Sequence, residues 1–210
     1  MNQNLKRVHG GVVLVDTRDD LEYMFELKFA RNVELKKRLA VAAAELVQNG
    51  DSLIIDSGST CLYAAMELHN KTDLRVVTLD VKIAEELAKY DNIESIIIGG
   101  VIRPGYYTVG ESIAESMLDQ FAVDKAILSA DAVDIAQGIT NYSVFEVGVK
   151  KRMIEKASEV ILIADHTKFG KTSFYKVADL STFSTIISTD GLLQEYIDGI
   201  VELGINLLLV

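Results

Sequence analysis

Residues 50–60 read GDSLIIDSGST. Leu53, Ile54 and Ile55 form a short apolar run of the kind that makes a buried strand. Asp56, Ser57, Gly58, Ser59 and Thr60 are a tight polar turn, and the apolar segment 61–68 behind them is patterned as a helix. Strand, small polar turn and helix is the unit from which α/β folds build anion sites. The helix start offers free backbone N–H groups, with the positive end of the helix dipole behind them. Ser57, Ser59 and Thr60 add hydroxyl donors, and Gly58 lets the backbone turn sharply and approach a ligand closely. The same letters fit a plainer role, in which Ser59 or Thr60 only caps the helix.

Outward from this stretch the same unit recurs. Strands are expected at 53–55, 74–78, 93–98, 125–129, 160–164 and 184–188, and helices at 60–69, 80–90, 110–119, 143–158 and 191–198. Ahead of them, 7–15 (RVHGGVVLV) reads as a strand with a Gly-Gly irregularity and 16–20 as a polar turn. Residues 21–48 read as helix with a break around Asn32, and the chain closes on the apolar run INLLLV. The opening MNQN is expected to be loose, and residues 1–6 flexible. Residues 169–179 (FGKTSFYKVAD) read as an excursion off the main sheet. Near-continuous Ile, Val and Leu strands alternating with helices imply an α/β fold with a mostly parallel sheet covered on both faces. With no linker, low-complexity tract or repeat, one domain over 1–210 is expected.

The totals narrow the function. The formal net charge is −10, a poor balance for gripping a nucleic-acid backbone. The one cysteine, Cys61, lies among apolar neighbours and reads as core packing rather than a nucleophile. No Cys/His metal spacing is present, so neither metal nor cofactor is expected. Without a signal peptide or a long apolar run, the chain reads as cytosolic, with no membrane partner.

In open parallel sheets ligands sit at the carboxyl ends of the strands. Asp56, Asp131 and Asp165, the Gly99-Gly100 and Gly138 turns, Arg103 and Lys168 all fall on that expected edge. Carboxylates suit sugar hydroxyls, and Lys168 with the DSGST amides suits a phosphate. A pocket for a small phosphorylated sugar or polyol is one reading. Turn and cap formation, common for Asp and Gly after strands, is the other.

The motifs, taken in order, resemble the carboxyl-terminal effector domain of the DeoR family of bacterial transcriptional repressors. They are RVHGG at 7–11, N-x-x-x-K at Asn32 and Lys36 running into LAVAAAELVQNGD, IDSGST at 55–60 and VVT at 76–78. IIIGG at 96–100, VG at 109–110, DKAILSAD at 124–131 and GIT at 138–140 follow. E-x-x-VK-x-x-MI at 146–154 and ILIADHTKFG at 161–170 complete the set. The resemblance implies a fold similar to ribose-5-phosphate isomerase and the CoA-transferase superfamily. It implies a non-catalytic sensor of phosphorylated sugars, DNA contact only through an amino-terminal winged helix-turn-helix absent from this chain, and a homodimer or homotetramer. Carried over by position, the ligand site comprises Asp56, Gly58, Ser59 and Thr60 in the phosphate-side turn, with Lys36, Asp131, Glu146, Asp165 and Lys168. Lys36 reads equally as an exposed helix lysine. Lys150 and Lys151 read as a solvated helix face.

Three departures bear on the ligand. Leu79-Asp80 stands where the family has a polar amide and Ser, and a carboxylate near a phosphate repels it unless paired. Ser129 and Ala132 stand where the family's GADG has its two glycines, which makes the backbone there less permissive. His166 enters the ADHTKFG loop and reads as a loop residue. An isomerase-like enzyme on the same fold, with Asp131 or Glu146 as base, is the competing function. A domain that no longer binds ligand is a third.

Overall fold

A computed structural model of the chain describes residues 25–210 throughout. Ahead of them it describes the backbone of Leu5–Val8, of Gly11–Leu14 and of the helix that starts at Asp20. The expected loose start at 1–4, His9-Gly10 and most of the turn at 16–20 lie outside the described residues.

Where one strand was expected over 7–15, two strands, β1 (Leu5–Val8) and β2 (Gly11–Leu14), pair antiparallel with Val8 opposite Gly11. Only His9 and Gly10 separate them, a connection length that suits a hairpin. Leu5 and Lys6 thus belong to a strand and not to the expected flexible start. The long helical stretch does break at Asn32, giving α1 (Asp20–Ala30) and α2 (Val33–Glu45). Asn32 has φ 54°, a left-handed conformation that Asn tolerates better than most residues.

The repeating units then follow: β3 (Ser52–Ile55), α3 (Ser59–Met66), β4 (Leu74–Thr78), α4 (Val81–Leu87) and β5 (Ile93–Ile97). A two-stranded ribbon, β6 (Val101–Ile102) with β7 (Val109–Gly110), leads into α5 (Glu111–Leu118) and β8 (Val123–Leu128). Next come β9 (Ala132–Asp134), β10 (Gly138–Asn141), α6 (Val147–Lys156), β11 (Ala157–Ile163) and β12 (Tyr175–Ala178). β13 (Thr185–Ser188), α7 (Gln194–Glu202) and β14 (Asn206–Leu209) close the chain.

Seven of these strands make one sheet in the order β14-β13-β11-β8-β3-β4-β5, and every neighbouring pair in it is parallel. Side chains alternate between its faces, as a pleated strand requires. Leu53, Ile55, Val76, Ile127 and Ile161 pack under α2, α3 and α4, whereas Ile54, Val77, Leu128 and Leu162 pack on the opposite side under α5, α6 and α7. The central strands are mostly apolar because both faces are covered, with polar residues such as Arg75, Asp124, Lys125 and Glu159 toward their amino ends. The 169–179 excursion supplies β12, which joins β10 and β9 in a three-stranded antiparallel sheet. β6, β7, β9 and β10 are too short to show a period and were not expected from sequence.

The winding sets the position of the crevice. From β3 the chain steps outward to β4 and β5, then returns to the other side of β3 as β8 and runs outward to β14. The gap beyond the carboxyl ends of β3 and β8 is therefore the topological switch point of the sheet, where open α/β folds hold their ligands.

Gly138 opens β10 with φ +75°, and a Cβ there would lie 2.0 Å from the Ala178 carbonyl oxygen. Gly138→Ala is expected to cost about 2 kcal/mol or more, through strain and loss of the β10–β12 pairing. Chemical denaturation measures it, and an unchanged midpoint would contradict the pairing.

Candidate functional site

A cavity of about 410 Å³ lies at this switch point. Its lining carries seven cationic side chains, those of Lys28, Arg31, Lys36, Arg103, Lys150, Lys168 and Lys171, against three carboxylates, Asp131, Glu146 and Asp165. A chain of net charge −10 thus gathers a local excess of positive charge in one place.

The 50–60 stretch forms one wall. Gly58 is the N-cap of α3, with φ 100°, and no side chain caps that helix. The capping role considered for Ser59 or Thr60 is therefore not the one they have: both lie inside the first turn, and both line the cavity beside Gly58. Asp80 reaches the turn from a neighbouring strand end without capping α3. Its Oδ2 accepts the Gly58 N–H at 2.9 Å, while Oδ1 accepts the Lys82 and Ile83 N–H groups at 2.8 and 3.2 Å and so caps α4. Asp80 does not line the cavity; it fixes the turn from behind. Burial pushes its carboxyl up to about 6, against the pull of the three N–H donors. Leu79 is fully buried in the apolar layer that contains Ile54.

Beneath the wall lies a buried ion pair. Lys150 Nζ pairs with Asp56 Oδ2 and donates to the Ser129 carbonyl at 2.9 Å, and the same Oδ2 accepts the Ser129 N–H at 3.0 Å. Both side chains are almost wholly out of solvent, at 2% and 0% exposure. Burial acts to discharge Lys150, but the Asp56 and Glu146 carboxylates outweigh it and hold the ammonium above its usual range. Two sequence expectations change here. Lys150 is not part of a solvated helix face, and Asp56 is not in the cavity lining but under it. Glu146 lies one helical turn before Lys150 and therefore on the same face of the chain, which is the signal that would have placed Lys150 inward.

The remaining expected residues, Lys36, Asp131, Glu146, Asp165 and Lys168, all line the cavity. Each carboxylate there already holds a partner. Asp131 pairs with Lys28 at 3.0 Å and accepts the Tyr142 N–H at 3.2 Å; burial raises its carboxyl, but Lys28 more than compensates and holds it below its usual range. Glu146 accepts from Arg103 at 2.6 Å and from the Asn141 amide at 3.2 Å. Asp165 caps the short turn His166–Lys168 by accepting the Thr167 N–H at 2.9 Å. Lys36 is 5% exposed, so the exposed-lysine alternative does not hold. Its Nζ donates to the carbonyls of Lys28 and Arg31, the second at 2.7 Å. Burial, with Lys168, Lys28 and Arg31 nearby, lowers it to about 8 although Asp165 opposes the shift. Lys168 is lowered in the same way, by burial first and Lys28 next. His166 stays outside the lining, with its N–H on Thr189 Oγ1 at 3.0 Å, as a loop residue. Cys61 is fully buried in the apolar core.

Sequence reasoning did not assign Lys28, Arg31, Lys150 and Lys171 to the site, and it placed Arg103 only on the expected edge without giving it a role. Lys28 and Arg31 come from the end of α1 and the corner after it, and Arg103 from the β6–β7 ribbon, where it stacks 3.7 Å from the centre of the Tyr106 ring. Cations at 28, 31 and 36 around the helix-breaking Asn32 were the available signal. Among the described residues, no cluster of three or more His, Cys, Asp and Glu side chains could hold a metal ion, and no helix is long and apolar enough to cross a membrane.

A family model for the DeoR C-terminal sensor domain matches residues 31–190. A putative sgc region transcriptional regulator of Escherichia coli (strain K12) is 46% identical over 89% of this chain and 71% of its own length. The glycerol-3-phosphate regulon repressor of Haemophilus influenzae is 29% identical over 89% of this chain and 72% of its own length. Among solved structures, eIF2B delta from Chaetomium thermophilum aligns with a TM-score of 0.53 and 16% identity, over 79% of this chain and 59% of that one. Ribose 5-phosphate isomerase A from Methanocaldococcus jannaschii aligns with a TM-score of 0.48 and 20% identity, over 66% of this chain and 55% of that one.

Removing one member of the buried pair leaves the other as an uncompensated charge. Lys150→Met is expected to cost about 3–5 kcal/mol, and Asp56→Asn combined with it to recover much of that loss. A double-mutant cycle by denaturant titration reads the coupling; additive single effects would mean the pair is not the joint it appears from its geometry.

Proposed function

The chain belongs to the family of DeoR carboxyl-terminal sensor domains, and from that premise we propose that it is the ligand-sensing part of a transcriptional regulator whose cavity binds a small phosphorylated sugar or polyol. In this reading the ligand modulates DNA binding carried out by another part of the regulator. The observation that carries the proposal is the concentration of seven cations and the uncapped start of α3 in one cavity of an otherwise acidic chain. A phosphate is an acceptor-only dianion that matches ammonium, guanidinium and backbone N–H donors together. The overall acidity disfavours a nucleic-acid backbone as occupant of the same site, because long-range repulsion opposes its approach. The name of one relative refers to a phosphorylated polyol.

The paired state of the carboxylates supports binding over chemistry. A general base must be free to accept the substrate's proton. Asp131 is held by Lys28, and both oxygens of Glu146 are taken by Arg103 and Asn141. In this role Glu146 positions Arg103 and Asn141 rather than touching the ligand. Asp56 supports the wall from below and is removed from the set of direct contacts.

Thermal-shift screening of phosphorylated sugars and polyols, with the parent sugars and sulfate as controls, tests the reading. Stabilisation by a phosphorylated compound and not by its parent sugar is expected, and Lys168→Ala should weaken that binding about tenfold without lowering the intrinsic melting temperature. No shift with any phosphorylated compound at millimolar concentration would overturn the proposal.

The depressed Lys36 ammonium adds a pH signature. Below about 8 it is charged and attracts the anion; above that it becomes neutral, and ligand affinity falls. Calorimetry across that range should show weaker binding and proton uptake on the alkaline side. Lys36→Met should remove the proton uptake, and a flat profile in the parent protein would exclude Lys36 from the ligand's reach.

A further inference from the structure

At one end of the cavity the side chains form a closed circuit of contacts. Arg103 donates to Glu146 at 2.6 Å, and the Asn141 amide donates to the other oxygen of that carboxylate at 3.2 Å. The Arg103 guanidinium stacks 3.7 Å from the centre of the Tyr106 ring, and Lys28 Nζ lies 5.5 Å from the same centre. Lys28 pairs with Asp131 at 3.0 Å. The Tyr142 N–H, next along the chain from Asn141, donates to Asp131 at 3.2 Å and closes the circuit. All of these residues line the cavity. They come from α1, the β6–β7 ribbon, the β8–β9 connection and the stretch from β10 to α6, so separate segments hold one another in place.

The circuit is balanced in charge. Glu146 matches Arg103, Asp131 matches Lys28, and Asp56 matches Lys150 from beneath. The cations left over in the lining are Arg31, Lys36, Lys168 and Lys171, against Asp165 alone. Asp165 and Lys168 follow β11, and α2, which carries Lys36, packs on β11 and β13. Lys36 in turn holds the Arg31 carbonyl at 2.7 Å. The ribbon with Arg103 is bound instead to the end of β4. There the Val109 N–H meets the Leu79 carbonyl at 2.7 Å, and the Val81 N–H meets the Tyr107 carbonyl at 2.9 Å. β11 and β4 are three steps apart in the sheet, about 14 Å at the usual strand spacing. The cavity thus carries excess positive charge toward β11 and a neutral set of donors and acceptors toward the ribbon.

A phosphate matches the first end and not the second. Hydroxyls match the second, because each one both donates and accepts. Glu146 takes one nitrogen of Arg103, and no other hydrogen bond from that guanidinium is found among the described residues. A second anion at this end meets the Glu146 and Asp131 carboxylates. It also meets Asn141, whose amide is fixed with Nδ2 toward Glu146, since only that atom can donate to a carboxylate. Its Oδ1 is therefore left buried with no partner among the described residues, an acceptor that opposes another negative group. We propose that the circuit reads the ligand's uncharged end, so that the cavity takes the monophosphate of a neutral polyhydroxyl chain and turns away ligands with a second anionic group. The inference rests on the phosphate-binding reading above and narrows its ligand class. Arg103 and Asp131 become the hydroxyl contacts, and Glu146, which positions Arg103, supplies much of the repulsion that sets specificity.

Calorimetry with matched pairs of ligands tests this on the whole chain. Each pair is a pentitol or hexitol monophosphate and the phosphorylated aldonic acid of the same carbon chain, which differ only in the carboxylate at the far end. The neutral member is expected to bind about tenfold or more tightly than the acidic one. Glu146→Gln removes one repelling charge and keeps an acceptor for Arg103, and it should raise the relative affinity of the acidic member about tenfold. Asp131→Asn, on a separate segment, should move the ratio the same way and gives the reading if Glu146→Gln does not fold. A merely structural role would weaken both members alike and leave their ratio unchanged, which would contradict the circuit as the source of specificity. An acidic member that binds the parent protein as tightly as its neutral partner would overturn the proposal while leaving the sensor reading intact. Absence of binding by every phosphorylated probe would overturn both.

Discussion

The contact between Lys150 and Asp56 joins what the rest of the site rests on. Asp56 ends the unit that begins with β3, Ser129 follows β8, and Lys150 comes from α6, so one ammonium and one carboxylate tie together two adjacent strand ends and a helix. These are the two strands flanking the topological switch point. Taking either charge out of water costs several kcal/mol, and that cost is offset only while both are present; the Ser129 N–H and carbonyl engage Asp56 Oδ2 and Lys150 in addition, while Asp56 Oδ1 is buried without a hydrogen-bond partner among the described residues. The pair therefore works less as added stability than as a specification: the loops after β3 and β8 have one relative position in which neither charge is stranded. Asp80 performs the parallel task on the other side of β3, reaching from the end of β4 to hold the Gly58 N–H.

With the polar turn fixed from two sides, the chain can leave α3 without a side-chain cap and turn its first residues toward open space. Uncapped N–H groups and a cluster of cations are both unfavourable on their own. Burial first, and the neighbouring cations after it, depress Lys36 and Lys168 in that setting. An anion relieves both at once, which is why the same features that make the site costly make it specific in charge. The three carboxylates in the lining do not undo this, because Lys28, Arg103 and Asn141, and the Thr167 N–H already engage them. They orient donors and hold turns in place.

Much of the fold was legible because burial on both faces leaves strong marks. A parallel sheet covered on each side needs mostly apolar strands: 53–55 and 160–164 are wholly apolar, and 74–78 and 125–129 are apolar except at Arg75, Thr78, Lys125 and Ser129. The pieces that escaped were β6, β7, β9 and β10, whose two to four residues cannot establish a period, and the hairpin within 7–15. Of the nine residues expected at the site, all but Asp56 line one cavity. Most of them were legible because a strand's carboxyl end is a position that sequence order already defines, whereas Lys36 and Glu146 came from the family resemblance. Asp56 was misread because a carboxylate in a polar turn looks the same whether it faces solvent or an ammonium beneath it.

The sequence by itself determined the elements that local pattern dictates: the αβ alternation, the polar turn at 56–60, the break at Asn32 and the acidic balance. It also carried the family's motifs in order. Only the tertiary structure decided that Lys150 points inward, that Asp80 is paired behind the wall rather than opposed to a ligand, and that Lys28 and Arg31 join Lys168 across one space. The physical reason is range. Strand and helix periods are set by neighbours a few residues apart, whereas a charge takes its role from whatever lies within a few ångströms. For Asp56 and Lys150 that partner is 94 residues away along the chain.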